Sequence, residues 1–401
     1  MQTLTVTSPV RYKLVQGFHE RSIMALSEVV DGVFWPDMRT FFLVLVVISQ
    51  FFYPNFSQAR EEKITVGAIR WDGWGKWGET YHEERYLGPP QWRDRLPFYA
   101  KEISDTQVEV RGDTQAIMEK EIEYAAGAGL DYWAFCHYDP KNAYNWPEAG
   151  DLNKGLDLYL GSRNKDKINF CLVILSDYLP PVEEWPQKTD WLVSLFKEKT
   201  YHKVAGGRPL LFFFSVNHLE KHFGSIEKAQ KALNLLCRKT EEAGLPSPFL
   251  VSQDSFDTPE GYGFDGFSAY TAPGSSEDQP SQNTYHRLME GNRVSWESCK
   301  VKGQTIPLIN TGWDYRPRLI DPDQRSVYVD SPWYEKGTPT EIAGNLRSAM
   351  DWLRKNKSTC EAKTVLIYAW NENTEGGWLI PTLYDGADRL NAIHNVLKDE
   401  P

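Results

Sequence analysis

Eight short runs rich in β-formers divide the chain, at 64–69, 131–137, 168–175, 209–215, 248–252, 266–270, 305–310 and 364–370, with helical stretches in most gaps between them. Most are apolar along their whole length, as in Phe170-Cys171-Leu172-Val173-Ile174-Leu175, rather than alternating. An alternating strand buries one face, whereas a continuously apolar one is covered on both, as in a parallel sheet wrapped by helices. The clearest helical stretches are 113–128, 225–243, 340–356 and 386–397, with shorter ones near 153–160, 188–198 and 283–297. Asp113 is placed as an N-cap, and Glu242-Ala243-Gly244-Leu245-Pro246 reads as a glycine stop followed by proline. This α/β alternation over about 340 residues suits a single (β/α)8 TIM barrel with long βα loops, and a doubly wound open sheet is the alternative. The weak point is the connection 254–263, which is too short for a full helix.

The barrel does not start at Met1. Met38-Arg39-Thr40 leads into an unbroken apolar run at 41–48, and Ser57-Gln58-Ala59 follows just before the charged Arg60-Glu61-Glu62-Lys63. A basic start, an apolar stretch and a small-x-small exit are the order of a secretory signal peptide. The run falls short of the roughly 20 residues of a membrane span, and an uncleaved anchor or a buried helix are the rival readings. Residues 1–37 are then an over-long gene prediction with no fold, 38–59 the signal peptide, and 60–401 the folded domain. The expected product is a monomer with no stable membrane span after signal removal, secreted or on the periplasmic or cell-surface side of a bacterial envelope.

Composition narrows the partners. A net charge of −11 without a basic run argues against nucleic acid or anionic membrane, since neutralising phosphates needs clustered Lys and Arg. With 41% hydrophobic residues, disorder is excluded. The five cysteines, Cys136, Cys171, Cys237, Cys299 and Cys360, cannot all pair internally. Cys136 and Cys171 lie in apolar runs, where a thiol behaves as a small hydrophobe, so at most one or two disulfides involving Cys299 or Cys360 are expected. No CxxC or Cys/His ligand spacing occurs, and no GxGxxG or GxxxxGK[ST] follows a strand, so neither a metal nor a cofactor is expected. The load of 15 Trp, 20 Tyr and 19 Phe still needs an explanation.

In such a barrel, function sits at the C-terminal ends of the strands. These ends deliver Arg70, Trp71 and Asp72; His137, Tyr138 and Asp139; Ser176 and Asp177; Asn217 and His218; Gln253 and Asp254; Tyr270; Thr311, Trp313, Asp314, Arg316 and Arg318; and Asn371, Glu372 and Glu375. A folding core needs none of these polar groups. Glu372 and Glu375 stand three apart at a strand end before two glycines. Glycosyl transfer uses such a pair, one group to donate a proton to the leaving oxygen and one to act as base or nucleophile. Like charges held close also raise one pKa and keep that group protonated. The bland reading is a pair of solvated acids in the first turn of the last helix.

Residue by residue, this stretch resembles the signature of glycoside hydrolase family 99 and the related WbsX-like proteins, whose last strand ends in Trp-Asn-Glu-x-x-Glu-Gly followed by Glu-Pro. Trp370, Asn371, Glu372, Glu375, Gly376 and Pro381 match it. Gly312-Trp313-Asp314 and Pro317-Arg318 are similar to the same group's seventh strand. Ile380 replaces the glutamate before the proline and Asn373 an aromatic residue, changes that bear on mannose specificity rather than on the chemistry. The resemblance implies an endo-acting retaining α-glycosidase without metal. Glu372 would be the base on the sugar 2-hydroxyl and Glu375 the general acid/base.

Weaker expectations attach to the rest of the rim. Trp71, Trp74 and Trp77 fall in a Gly-rich loop and, with Trp146, Trp313, Trp370 and Trp378, would form sugar-stacking faces, packing under the loop being the rival for one or two. Asp72, His137, Tyr138, Asp177, Tyr270 and Asn371 would bind sugar hydroxyls, although a satisfied strand-end histidine is the slightly favoured reading of His137. Asp314 with Arg318 would orient the pair, or be a structural ion pair. Arg316 and Arg318, with Arg70, hint at an anionic polysaccharide or oligosaccharide. Three classes stay open: a secreted glycoside hydrolase, a WbsX-like glycosyltransferase and a non-catalytic carbohydrate-binding barrel.

Overall fold

The structure is a computed structural model that describes residues 63–400, apart from 77, 79, 143–146, 255–257, 259, 273–282 and 330. The leader expected over 38–59, residues 1–37, Trp77 and Trp146 lie outside the described residues. Nine parallel strands form the main sheet: β1 Thr65–Arg70, β2 Tyr132–His137, β3 Asn169–Leu175, β4 Arg208–Phe214, β5 Phe249–Ser252, β6 Gly266–Phe267, β7 Gln304–Thr305, β8 Leu308–Asn310 and β9 Thr364–Tyr368. Their ladder order is β7-β6-β5-β4-β3-β2-β1-β9-β8.

The two ends of this ladder are successive pieces of one extended run. Ile306 N–H donates to Phe267 O at 3.0 Å on the β6 side, and Leu366 N–H to Pro307 O at 2.9 Å on the β9 side. The run 304–310 therefore pairs on both edges and closes the ring. It splits at Pro307, which has no N–H to give to a ladder. The eight expected strands are thus all present, the seventh in two pieces.

Among the described residues ten α-helices accompany them: α1 His82–Leu87, α2 Gln115–Gly127, α3 Lys154–Leu160, α4 Trp185–Phe196, α5 Asn217–Phe223, α6 Ile226–Glu242, α7 Tyr285–Lys302, α8 Pro322–Tyr328, α9 Pro339–Lys355 and α10 Asp388–Leu397. The cap of α2 is Thr114, not Asp113: its backbone is extended and its hydroxyl accepts from Ile117 N–H, so the last non-helical residue does the capping. Thr338 and Glu341 form a capping box on α9 with Pro339 in its first turn. After α6, Gly244 takes φ +80° and lets Leu245 N–H return to Thr240 O, the glycine stop expected there. Among the described residues of 254–263 there is no helix, so β5 and β6 pair across the one short connection.

Most buried apolar side chains form one cluster inside the ring and between ring and helices. A smaller one, Trp74, Leu87, Leu96, Ala100, Val108 and Val110, lies under the long first loop. All five cysteines are free, four of them buried, so apolar burial rather than cross-linking accounts for Cys299 and Cys360. One expectation fails here. Trp71, Trp74, Trp313, Trp370 and Trp378 are buried rather than open platforms. Much of the Trp excess therefore fills volume around a wide barrel. Among the described residues, no helix is long and apolar enough to cross a membrane.

Candidate active site

The last strand builds the site. From β9 the chain runs through Ala369 and Trp370 into β10 Asn371–Glu372, a 3-10 turn Asn373–Glu375, and β11 Gly377–Trp378, which pairs antiparallel with β10. Glu372 enters the turn and Glu375 leaves it. Gly376 takes φ +83°, and a Cβ there would stand 2.5 Å from Asp314 N. A Cβ on Gly312 would stand 2.0 Å from Gly376 O. These two glycines allow the ends of the seventh and eighth strands to interlock, with Asp314 N–H donating to Glu375 O at 2.6 Å. The Gly-Trp-Asp and Glu-Gly motifs are two sides of one contact.

Both carboxylates are deeply placed, Glu372 4% and Glu375 6% exposed. Arg318 joins them: Nη1 bonds Glu375 Oε1, Nη2 lies 3.3 Å from Glu372 Oε2, and Nε donates to Thr374 Oγ1 at 3.0 Å. Tyr270 OH donates to Glu372 Oε1 at 3.2 Å, and Tyr368 OH donates to Glu375 Oε2. One guanidinium cannot neutralise two buried carboxylates. Burial, then the charge of Glu375, push the Glu372 carboxyl well above its ordinary range, against the pull of Arg318. The two carboxyls therefore differ in environment, Glu372 being the one that burial and its neighbour push toward the protonated form.

A third carboxylate adds to this field. Glu83 on α1 is buried, and burial raises it to about 7, against Arg318 and with Glu375 adding to the rise. A raised native pKa makes the fold hold that proton more tightly than the unfolded chain does. Its stabilising contribution is complete below the ordinary carboxyl value of 4.5 and is lost as pH rises through about 7. Glu83→Gln should remove that decline. In urea unfolding, the wild type should lose up to about 3 kcal/mol more stability than the variant between acid and mildly alkaline pH, and equal losses would refute this.

Several expected residues meet around the pair. The Arg318 guanidinium carbon lies 5.2 Å over the Trp71 ring, whose Nε1 donates to Tyr138 OH at 3.2 Å. Trp313 packs 5.8 Å from Tyr368 and has no hydrogen-bond partner for its buried Nε1. Asp177, in the 3-10 turn after β3, lies instead toward His218, keeps a buried Oδ1 unsatisfied, and has its pKa raised by burial. Tyr270 is stacked on Phe214 at 4.4 Å and lies 3.3 Å from Cys136 Sγ.

Others are elsewhere. Strand alternation turns Arg70 and Asp72 outward, where Arg70 bonds Glu121 on α2 and lies 2.9 Å from Asp72 Oδ1. His137 and Asp139 also face outward, against Lys188 of α4. Asn371 spends its side chain on the Trp71 backbone, accepting from N–H at 2.9 Å and donating to O at 2.5 Å. Trp74 donates to Asn371 O at 2.9 Å, and Trp378 lies beneath Arg389 at 3.7 Å. Asp314 does not pair with Arg318. Burial would raise its pKa, but Arg316, with Nε 2.7 Å from Oδ1, and Arg95 outweigh that and hold it below the usual range. Arg70, Arg316 and Arg318 are each matched by carboxylates, so the hint of an anionic sugar loses its basis. Sequence reasoning missed Tyr368, Thr374, Arg95 and Glu83; only Tyr368, inside the eighth strand two residues before Trp370, carried a readable signal. Among the described residues, no cluster of His, Cys, Asp and Glu could hold a metal ion.

Known proteins place this architecture. A protein named glycoside hydrolase-like superposes with a TM-score of 0.57 at 13% identity, over 84% of this chain and 95% of that one. The GH99 endo-alpha-mannosidase from Bacteroides thetaiotaomicron superposes with a TM-score of 0.53 at 12% identity, over 83% and 95%. At such identities the likeness is one of fold. No curated protein matches the sequence. The family model described as glycosyltransferase WbsX matches residues 162–393, more than half of the sequence and the whole of the Glu372 to Glu375 turn, and the chain belongs to that family.

Proposed function

We propose that the protein is a glycoside hydrolase that cleaves a polysaccharide or oligosaccharide, endo-acting and retaining, with Glu372 and Glu375 as its catalytic pair. The observation that supports this best is the buried pair of carboxylates joined by Arg318, with Tyr270 and Tyr368 each on one of them. A sugar 2-hydroxyl donating to Glu372 favours its ionised form, while a glycosidic oxygen accepting from Glu375 favours the protonated form. Substrate thus places the one proton that the pair shares on Glu375. Glu375 gives it to the leaving oxygen as Glu372 takes the 2-hydroxyl proton and O2 closes on the anomeric carbon in an epoxide-like intermediate. Water, losing a proton to Glu375, then opens that ring at the anomeric carbon while Glu372 returns its proton to O2. Two inversions give net retention.

The family description favours a second reading, sugar transfer from an activated donor. On the strength of residues 38–59 we also assign the protein to the outside of the cytoplasm. One experiment addresses these points. The supernatant of cells expressing the full chain, on a protein starting near Arg60, should release oligosaccharides from at least one member of a polysaccharide panel, and calorimetry should show no nucleotide-sugar binding. Nucleotide-sugar binding without product release would favour the transferase, and glycan binding without release a non-catalytic barrel.

A further inference from the structure

The outer side of the second strand end carries a pocket of its own. Alternation sends Tyr138 to the barrel mouth and His137 and Asp139 outward, between α3 and α4. There Lys188, only 7% exposed, sets Nζ 2.9 Å from Asp139 Oδ2 and against His137 Nε2. Trp191 stacks on the His137 ring at 4.6 Å and lies 4.1 Å from Lys188 Nζ. Asn153 clamps the strand end, accepting from Tyr138 N–H at 3.0 Å and donating to Tyr138 O at 2.7 Å. These residues line a cavity of about 490 Å3, completed by Pro140, Leu156, Pro180 and Gln187. That volume falls within the roughly 300–1,000 Å3 of small-molecule sites.

The lining is selective in charge. Lys188 is matched by Asp139, Lys141 by Glu184 at 3.1 Å, and Asp157 adds a further acid, so no surplus cation invites a phosphate or carboxylate. Burial and Lys188 hold His137 well below its ordinary pKa, hence neutral. Matched ion pairs present donors and acceptors side by side, next to an apolar wall of Trp191, Leu156 and two prolines. A pyranose carries the complementary features, an apolar C–H face and an edge of hydroxyls that both donate and accept.

We propose that this pocket binds a neutral pyranose residue and holds a glycan against the outside of the barrel, separately from the Glu372 and Glu375 site. The inference rests on the glycan-directed function proposed above. Its test uses saturation-transfer NMR on the whole protein with the methyl glycosides of mannose, glucose and galactose, and with an oligosaccharide of whichever binds. Trp191→Ala removes the wall. Gln187→Trp, at an exposed position, fills the cavity without touching the core. Both should weaken binding by about tenfold, the size of one lost stacking contact. Release of product from a short soluble glycan should stay unchanged, since neither residue reaches the pair. Retained binding in both variants, or no glycoside binding to the wild type, overturns the proposal. A wild type that releases no product while its sugar signal still tracks Gln187→Trp keeps this pocket and sinks the hydrolase reading instead. An oligosaccharide that binds more tightly than its monosaccharide identifies a polymer hold rather than a site for free sugar.

Discussion

Glu375→Gln and Glu372→Gln should each lower turnover on any cleaved glycan by about 10³-fold or more, while each variant stays as stable as the wild type. The two halves of this expectation have one cause. In the wild type, two carboxylates face one guanidinium, and burial with the excess charge raises the Glu372 carboxyl. Glu375→Gln takes away the neighbouring charge, the second cause of the rise after burial, and so brings the Glu372 carboxyl down toward its ordinary range beside Arg318. In Glu372→Gln, Glu375 keeps its contacts to Arg318 and Tyr368. Either variant leaves Arg318 one carboxyl of the pair instead of two, so the fold is not penalised. Neither retains a proton that can move between two carboxylates, and so the chemistry stops. The measurement is product release together with urea unfolding of both variants. Turnover within tenfold of wild type in either one would sink the assignment of the pair, whereas loss of turnover with unfolding would leave a structural role instead. In the wild type the rate should also fall on the alkaline side as the pair loses its one proton, a limb that both variants lack.

The barrel was legible because its signal is local. A run such as Leu210-Leu211-Phe212-Phe213-Phe214 is apolar on both faces and can serve only as a doubly covered strand, whatever its partners. The Glu372 and Glu375 motif was readable for the same reason, since both residues ride one short turn. What surrounds the motif was not. Arg318 lies 54 and 57 positions from the two glutamates, and nothing in its spacing says that it bridges them rather than pairing with nearby Asp314. Strand ends misled in a definite way. Successive side chains point to opposite faces, so Trp71 and Tyr138 reach the mouth while Asp72 and His137, one residue away, serve the outer wall. Which parity faces inward depends on ladder register, and the ring sets that register only when 304–310 pairs on both edges. Glu83 and Arg95 come from the first loop, whose course follows its own small core and leaves no periodic trace.

Arg318→Met should cost about 3–5 kcal/mol of stability at mildly alkaline pH and far less in acid. Methionine fills similar volume but leaves Glu83, Glu372 and Glu375 without the cation that two of them touch and that lowers Glu83. Each carboxyl then binds protons more tightly in the fold than in the unfolded chain, so stability is present at low pH and is lost as pH rises through their raised values. The sign separates this from a packing defect, which would cost the same at every pH. Arg318→Lys restores the charge but not the fork, because one ammonium cannot meet Glu372, Glu375 and Thr374 from three fixed nitrogens. It should recover much of the stability and little of the turnover. A third variant closes the argument: Glu372→Gln placed on Arg318→Met removes one of the unmatched carboxyls and should restore part of the lost stability at alkaline pH, although the same change alone is close to neutral. Urea unfolding of the four proteins in acid and at alkaline pH decides it. If Arg318→Met loses equally at both, or if the double variant is merely the sum of the two singles, Arg318 is a packing residue and the shared proton needs another origin.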